Sequence, residues 1–90
     1  MIYYLYILRT SSNTLYVGQT NNLDKRVKEH QNKKSRGAKY TRSFEFVKLV
    51  YKEKYLTRIE AMKREAQLKR WTRSKKEALI SGNLKLLKKL

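Results

Sequence analysis

Ile2-Tyr3-Tyr4-Leu5-Tyr6-Ile7-Leu8-Arg9, Thr10-Ser11-Ser12-Asn13-Thr14 and Leu15-Tyr16-Val17-Gly18-Gln19-Thr20 form one continuous stretch near the start of the chain. Two runs rich in β-branched and aromatic residues flank a short polar segment, the pattern of a β-hairpin. Side chains alternate along a strand, so Tyr4 and Tyr6 share one face while Leu5 and Ile7 share the other. In the partner run Tyr16 and Gly18 point one way and Leu15 and Val17 the other. With the aliphatic set facing a core, phenols from both strands project from the opposite face, and Gly18 clears space beside them. Aromatic cross-strand pairs alone would account for the tyrosines, since each stabilises a sheet by about 0.2–1 kcal/mol.

The segment that follows adds chemistry to this frame. A helix is predicted from Asn21 or Asn22, either of which can cap, with Asp24 in the first turn where the helix dipole favours negative charge. Leu23 and Val27 form its apolar stripe. Arg26 and His30, also four apart, lie along the edge of that stripe, at the expected boundary between core and solvent. Beside two phenols, an arginine and the chain's single histidine make a candidate set for phosphate chemistry.

Further along, residues 31–42 read as a basic loop containing Lys33, Lys34, Arg36, Lys39, Tyr40 and Arg42. Cations interleaved with an aromatic ring suit phosphate contact with base or sugar stacking, although a solvated charge run has the same composition. Phe44 to Tyr55 reads as a third strand. Thr57 with Glu60 is a capping box opening a helix that runs to about Trp71, and Ser74 with Glu77 is a second box opening a short helix that Gly82 ends. Residues 1–82 are thus expected to form one domain, with a basic amphipathic tail over 83–90. The fold class is α+β, a three-stranded antiparallel sheet flanked by helices in the order β-β-α-β-α-α.

Glu65 is the conspicuous acid of the Thr57–Trp71 helix. At about 3.6 residues per turn, Ile59, Ala61, Met62, Ala66 and Leu68 spread over one side, with Glu65 between Ala61 and Met62. A carboxylate in an apolar arc should be paired or bound to a cation. Lys69, one turn on, is the available pairing partner. A helix-surface pair of this kind contributes only about 0.2–0.5 kcal/mol, so a divalent ion is the stronger expectation for Glu65.

Lys and Arg number 23 against 7 acidic residues in 90, a formal charge of +16. Such an excess favours a polyanion as partner. No apolar run reaches the about 18–20 residues needed to span a bilayer, and Ile2 to Leu8 is too short for a signal peptide. Cysteine is absent, which excludes disulfides, thiolate catalysis and cysteine zinc sites and fits a cytoplasmic setting.

Taken with their order and spacing, Tyr4-Leu5-Tyr6, Tyr16-Val17-Gly18, Arg26, His30 and Glu65 resemble the core of the GIY-YIG nucleases. The likeness continues through Gly37-Ala38-Lys39-Tyr40-Thr41-Arg42 and residues 60–71 and covers roughly residues 2 to 80; the chain is similar to the small stand-alone bacterial members. Two departures stand out. Tyr4 occupies the place of the glycine in the family name, and Asn83 is the nearest counterpart of a late asparagine that many relatives carry. The resemblance implies a metal-dependent endonuclease hydrolysing DNA phosphodiester bonds in DNA repair or processing. It places one divalent cation, Mg²⁺ or Mn²⁺, on Glu65, with Tyr6, Tyr16, Arg26 and His30 in the catalytic set. The basic loop and Lys69 would then contact nucleic acid, DNA rather than RNA, with neither a membrane nor a protein partner expected. A non-catalytic nucleic-acid-binding module on the same fold is the alternative, and an anionic-membrane or ribosomal-RNA binder a third.

Overall fold

The computed structural model describes residues 1–31 and 46–89. Strand β1 (Tyr3–Thr10) is central, flanked by β2 (Leu15–Thr20) and β3 (Val47–Tyr55), all antiparallel. The hairpin turns through Thr10–Thr14, where the Thr10 and Thr14 hydroxyls meet and Asn13 takes the left-handed conformation (φ 68°). Asparagine tolerates that region better than most residues.

Alternation sorts the strands as the sequence predicts, but both faces of the sheet are covered. Leu5, Ile7 and Val17 pack with Leu68, Trp71, Leu79 and Ile80 from helices α2 (Arg58–Lys69) and α3 (Arg73–Ser81) and the intervening turn. Tyr6, Leu8, Leu23 and Val27 pack on the opposite face, beneath α1 (Leu23–Gln31). The phenol face is therefore a second core layer, and Tyr6 is only 1% exposed. Burying its ring requires Gly18, which pairs with Tyr6 across the hairpin. A Cβ at Gly18 would come within 2.5 Å of the Tyr6 hydroxyl oxygen and 2.6 Å of Cζ.

The third strand starts at Val47, and exposed Phe46 precedes it. A bulge lets Ile7 face Tyr51 while Leu8 faces Leu49, so Val50 is an extra residue. That offset allows Val50 and Tyr51, adjacent in sequence, to pack on the same core.

Helix starts follow their caps. Asn22 Oδ1 accepts from the Lys25 amide (3.2 Å), and the Thr57 hydroxyl accepts from the Glu60 amide (3.3 Å). The α3 start differs from the Ser74–Glu77 expectation. Thr72 is the cap, accepting from the Lys75 amide at 3.3 Å, and Ser74 lies inside the helix. Glu77 instead binds Arg9 of β1 (Nη1–Oε2 2.9 Å) and Arg73, tying α3 to the sheet. Gly82 ends α3 in the left-handed conformation (φ 72°), and Asn83 Oδ1 caps α4 (Leu84–Lys89) by accepting from the Leu86 amide.

The apolar arc expected on α2 is narrower than the wheel implied. Ala61 and Leu68 are buried, whereas Ile59 is 65% and Met62 46% exposed and Ala66 faces solvent. The packed stripe runs Ala61–Arg64/Glu65–Leu68, the i, i+3, i+4, i+7 pattern of a helix lying along a sheet. Arg64 fits this stripe by binding Glu53 of β3 through Nε (3.0 Å) and Nη2 (3.1 Å). Burial raises the Glu53 carboxyl, but the bonds from Arg64, Tyr51 and Tyr55 outweigh it and hold Glu53 below the usual carboxylate range.

Two substitutions test this architecture by denaturant unfolding. Thr72→Ala should cost about 1 kcal/mol while Ser74→Ala stays within about 0.5 kcal/mol of wild type, and the reverse order would restore Ser74 as the cap. Gly18→Ala should cost about 1–3 kcal/mol, because the Tyr6 ring it meets is enclosed and cannot swing away.

Candidate active site

The Tyr6 hydroxyl is the meeting point of the site. His30 Nε2 lies 3.2 Å from it and Arg26 Nε donates to it at 3.4 Å, both from α1. These contacts are long for hydrogen bonds. The Tyr16 ring stands beside them, with its centroid 5.0 Å from that of His30 and 6.4 Å from that of Tyr6. Tyr6, Tyr16, Arg26 and His30, drawn from β1, β2 and α1, are thus brought together. His30 departs from its expected boundary position, because at 2% exposed it belongs to the interior. Arg26 is half-buried with its Nη1 3.7 Å from Glu29, a loose contact that leaves the guanidinium accessible.

Electrostatics separate the members of this cluster. Burial pushes the Tyr6 phenol up to about 12, with the Arg26 hydrogen bond opposing it and the charges of Tyr16 and Glu65 adding to it. Burial also lowers the His30 imidazole, and the positive charge of Arg26 lowers it further, so the ring is neutral near pH 7. Arg26 is held charged more firmly than a free arginine, first by its bond to Tyr6. The site as it stands therefore does not lower the Tyr6 phenol, contrary to what activation of a water by that residue would need.

Glu65 is 23% exposed, and its Oε2 lies 3.2 Å from Lys69 Nζ. The expected pairing partner is therefore in place. Among the described residues no three of His, Cys, Asp and Glu cluster as a metal site. A single partly exposed carboxylate fits a Mg²⁺ or Mn²⁺ ion that keeps most of its waters and shares the rest of its shell with a phosphate. Glu65 also sits within electrostatic reach of Tyr6, since its charge raises that phenol.

Of the residues expected to contact nucleic acid, Lys69 borders a cleft with Leu15, Tyr16, Val17 and Lys76. Lys33, Lys34, Arg36, Lys39, Tyr40 and Arg42 lie outside the described residues. Lys76 was not singled out from the sequence. Its signal was its position three and four residues before Leu79 and Ile80, which pack on the core and so turn that side of α3 inward.

A family model described as the GIY-YIG catalytic domain matches residues 2–78. A UPF0213 protein of Clostridium perfringens is 50% identical over 79 residues, 88% of this chain and 83% of that protein. One from Natronomonas pharaonis is 42% identical over 79 residues, 88% of this chain and 91% of its own. The solution NMR structure of a UPF0213 protein from Bacillus halodurans aligns with a TM-score of 0.58 at 40% identity, covering 90% of this chain and 84% of that one. Together with the tyrosine–arginine–histidine cluster on a β2-β1-β3 sheet, these matches make the chain a member of the GIY-YIG family, among its small single-domain UPF0213 proteins.

Proposed function

We propose that the chain is a divalent-metal-dependent endonuclease that hydrolyses DNA phosphodiester bonds in DNA repair or processing in the cytoplasm. The observation that carries this reading is the convergence of Arg26, His30 and Tyr16 around the Tyr6 hydroxyl. A structural role alone does not require an arginine, a histidine and two phenols to meet beside an accessible guanidinium.

Within this reading the two tyrosines have different tasks. Tyr6 is enclosed and its phenol is raised to about 12, so it stays protonated and positions its neighbours. It accepts from Arg26 Nε and donates its own proton to neutral His30, which aims the guanidinium and fixes the imidazole. Tyr16 is half-buried and borders an open cleft, so it is the phenol that meets the attacking water and takes its proton. Arg26 places its remaining N–H groups on the phosphate, where charge builds up in the transition state. Glu65 would hold the cation, and the cation, when bound, would polarise the phosphate and stabilise the leaving oxygen. The basic loop from Lys33 to Arg42, with Lys69, would contact the backbone.

The Glu65–Lys69 pair favours one competing reading, a nucleic-acid-binding module in which Glu65 is merely paired. Incubating supercoiled, branched and single-stranded DNA with Mn²⁺ and with chelator separates the two. Metal-dependent nicking is expected, whereas tight binding without cleavage of any of the three would leave the module.

Substituting each phenol separates their roles. Tyr16→Phe should lower cleavage at least about tenfold with the fold retained, since the ring is preserved. Tyr6→Phe should lower cleavage and also cost about 1–3 kcal/mol, because it strips a hydrogen-bond partner from buried His30 and from Arg26. Equal stability losses for the two would mean that Tyr16 is structural as well.

For Glu65→Gln, the lost pair with Lys69 is a helix-surface pair whose lysine is exposed, so melting without metal should change by no more than about 0.5 kcal/mol. Cleavage and any Mn²⁺-dependent rise in melting temperature should both disappear. A persistent Mn²⁺ response would remove Glu65 from the metal site.

A further inference from the structure

Among the described residues β2 has one strand neighbour, and it borders a cleft of about 260 Å³. Leu15, Tyr16 and Val17 contribute one part of its lining, and Lys69 and Lys76 contribute the rest. The two lysines come from different helices, the last turn of α2 and the first half of α3. Lys76 is half-buried, yet no carboxylate among the described residues lies within ion-pair distance of its ammonium. The acid beside it in sequence, Glu77, is occupied by Arg9 and Arg73.

Stability alone would not choose this arrangement. The first turn of a helix favours negative charge, but α3 has no acidic residue there and carries Arg73, Lys75 and Lys76. Lys75 has an alternative partner in the Trp71 ring, whose centroid is 4.5 Å from its Nζ. Lys76 has no such partner among the described residues, so its charge is available to an anion that enters the cleft.

The cleft adjoins the candidate active site through a single ring. Tyr16 lines it, while the same ring lies 5.0 Å from His30 between centroids. A sugar–phosphate backbone whose scissile phosphate faces Arg26 must pass over Tyr16 to leave on this side, and it then meets Lys76.

We infer that the cleft is a phosphate subsite, in which Lys76, assisted by Lys69, holds a DNA backbone phosphate on the Tyr16 side of the one that Arg26 faces. The inference rests on the nucleic-acid reading above and adds to it a binding residue and a strand path. Ammonium groups suit phosphate as point charges and read no base, so the subsite sets the register of the backbone without selecting sequence. Lys76 is the principal residue, because Lys69 already shares its charge with Glu65.

The test is binding of a short blunt DNA duplex, with chelator present and no divalent cation, over a series of salt concentrations. Each backbone phosphate neutralised contributes about 0.9 to the slope of log K against log salt on duplex DNA. Lys76→Gln should flatten that slope by about 0.9, whereas Lys76→Arg and the charge control Lys85→Gln, on exposed α4, should retain the wild-type slope. Lys76→Met keeps the aliphatic stem and gives the same readout should the glutamine variant melt early. An unchanged slope in Lys76→Gln and Lys76→Met overturns the subsite, and so does an equal flattening in Lys85→Gln. Cleavage plays no part in this measurement. A protein that flattens as expected but cuts no DNA keeps the subsite and loses the nuclease reading; one that cuts DNA with unaltered slopes does the reverse. Failure of the wild type to bind overturns both.

Discussion

The Tyr6 hydroxyl is buried over Gly18, and a buried hydroxyl must find partners or lose about 1–3 kcal/mol. It finds them in Arg26 and His30, both on α1, so the same contacts that satisfy the phenol help dock α1 on the sheet. Leu23 and Val27 fill the surrounding space, and β1, as the central strand, fixes the phenol against both neighbours. Packing and polar geometry therefore act on one oxygen atom. Its elevated affinity for its proton follows from the same enclosure, so the group that organises the cluster is poorly suited to abstract a proton itself.

Period-two alternation made the sheet legible, because a one-residue register slip would carry Leu5, Ile7, Leu15 and Val17 out of the layer they share with Leu68 and into the layer beneath α1. The helix caps at Asn22 and Thr57 were legible for a similar local reason. Thr72 was not, because it and Ser74 both offer a hydroxyl, and Glu77 three residues after Ser74 imitates a box. What decides the matter is Arg9 on the distant strand β1, which draws Glu77 toward the sheet. His30 was placed at a boundary because the stripe of α1 shows only where apolar residues lie. A hydrogen bond to a phenol 24 positions earlier in the chain carries it inside.

The α2 helix shows the same limit from the other side. Ile59 and Met62 count as apolar on a wheel, yet the stripe that meets the sheet is fixed by the half-buried ion pair of Arg64 with Glu53, itself gripped by Tyr51 and Tyr55. Nothing local in the sequence distinguishes that arginine from its exposed neighbours Lys63 and Lys69. The rotation it imposes is what leaves Glu65 partly exposed at the sheet side, where a cation or a lysine can reach it. Alternation along β3 was likewise obscured, because the bulge at Val50 breaks the period of two where it would have been counted.

Among the described residues the sheet has three strands, which leaves β2 and β3 with one strand neighbour each, and such strands can pair with another copy of the chain. Along β3 the exposed residues Lys48, Lys52 and Lys54 oppose that pairing by mutual repulsion between copies. A polyanion laid across the protein cancels much of this repulsion. In the proposed nucleic-acid complex the protein's own charge would therefore do less to keep its copies apart along β3.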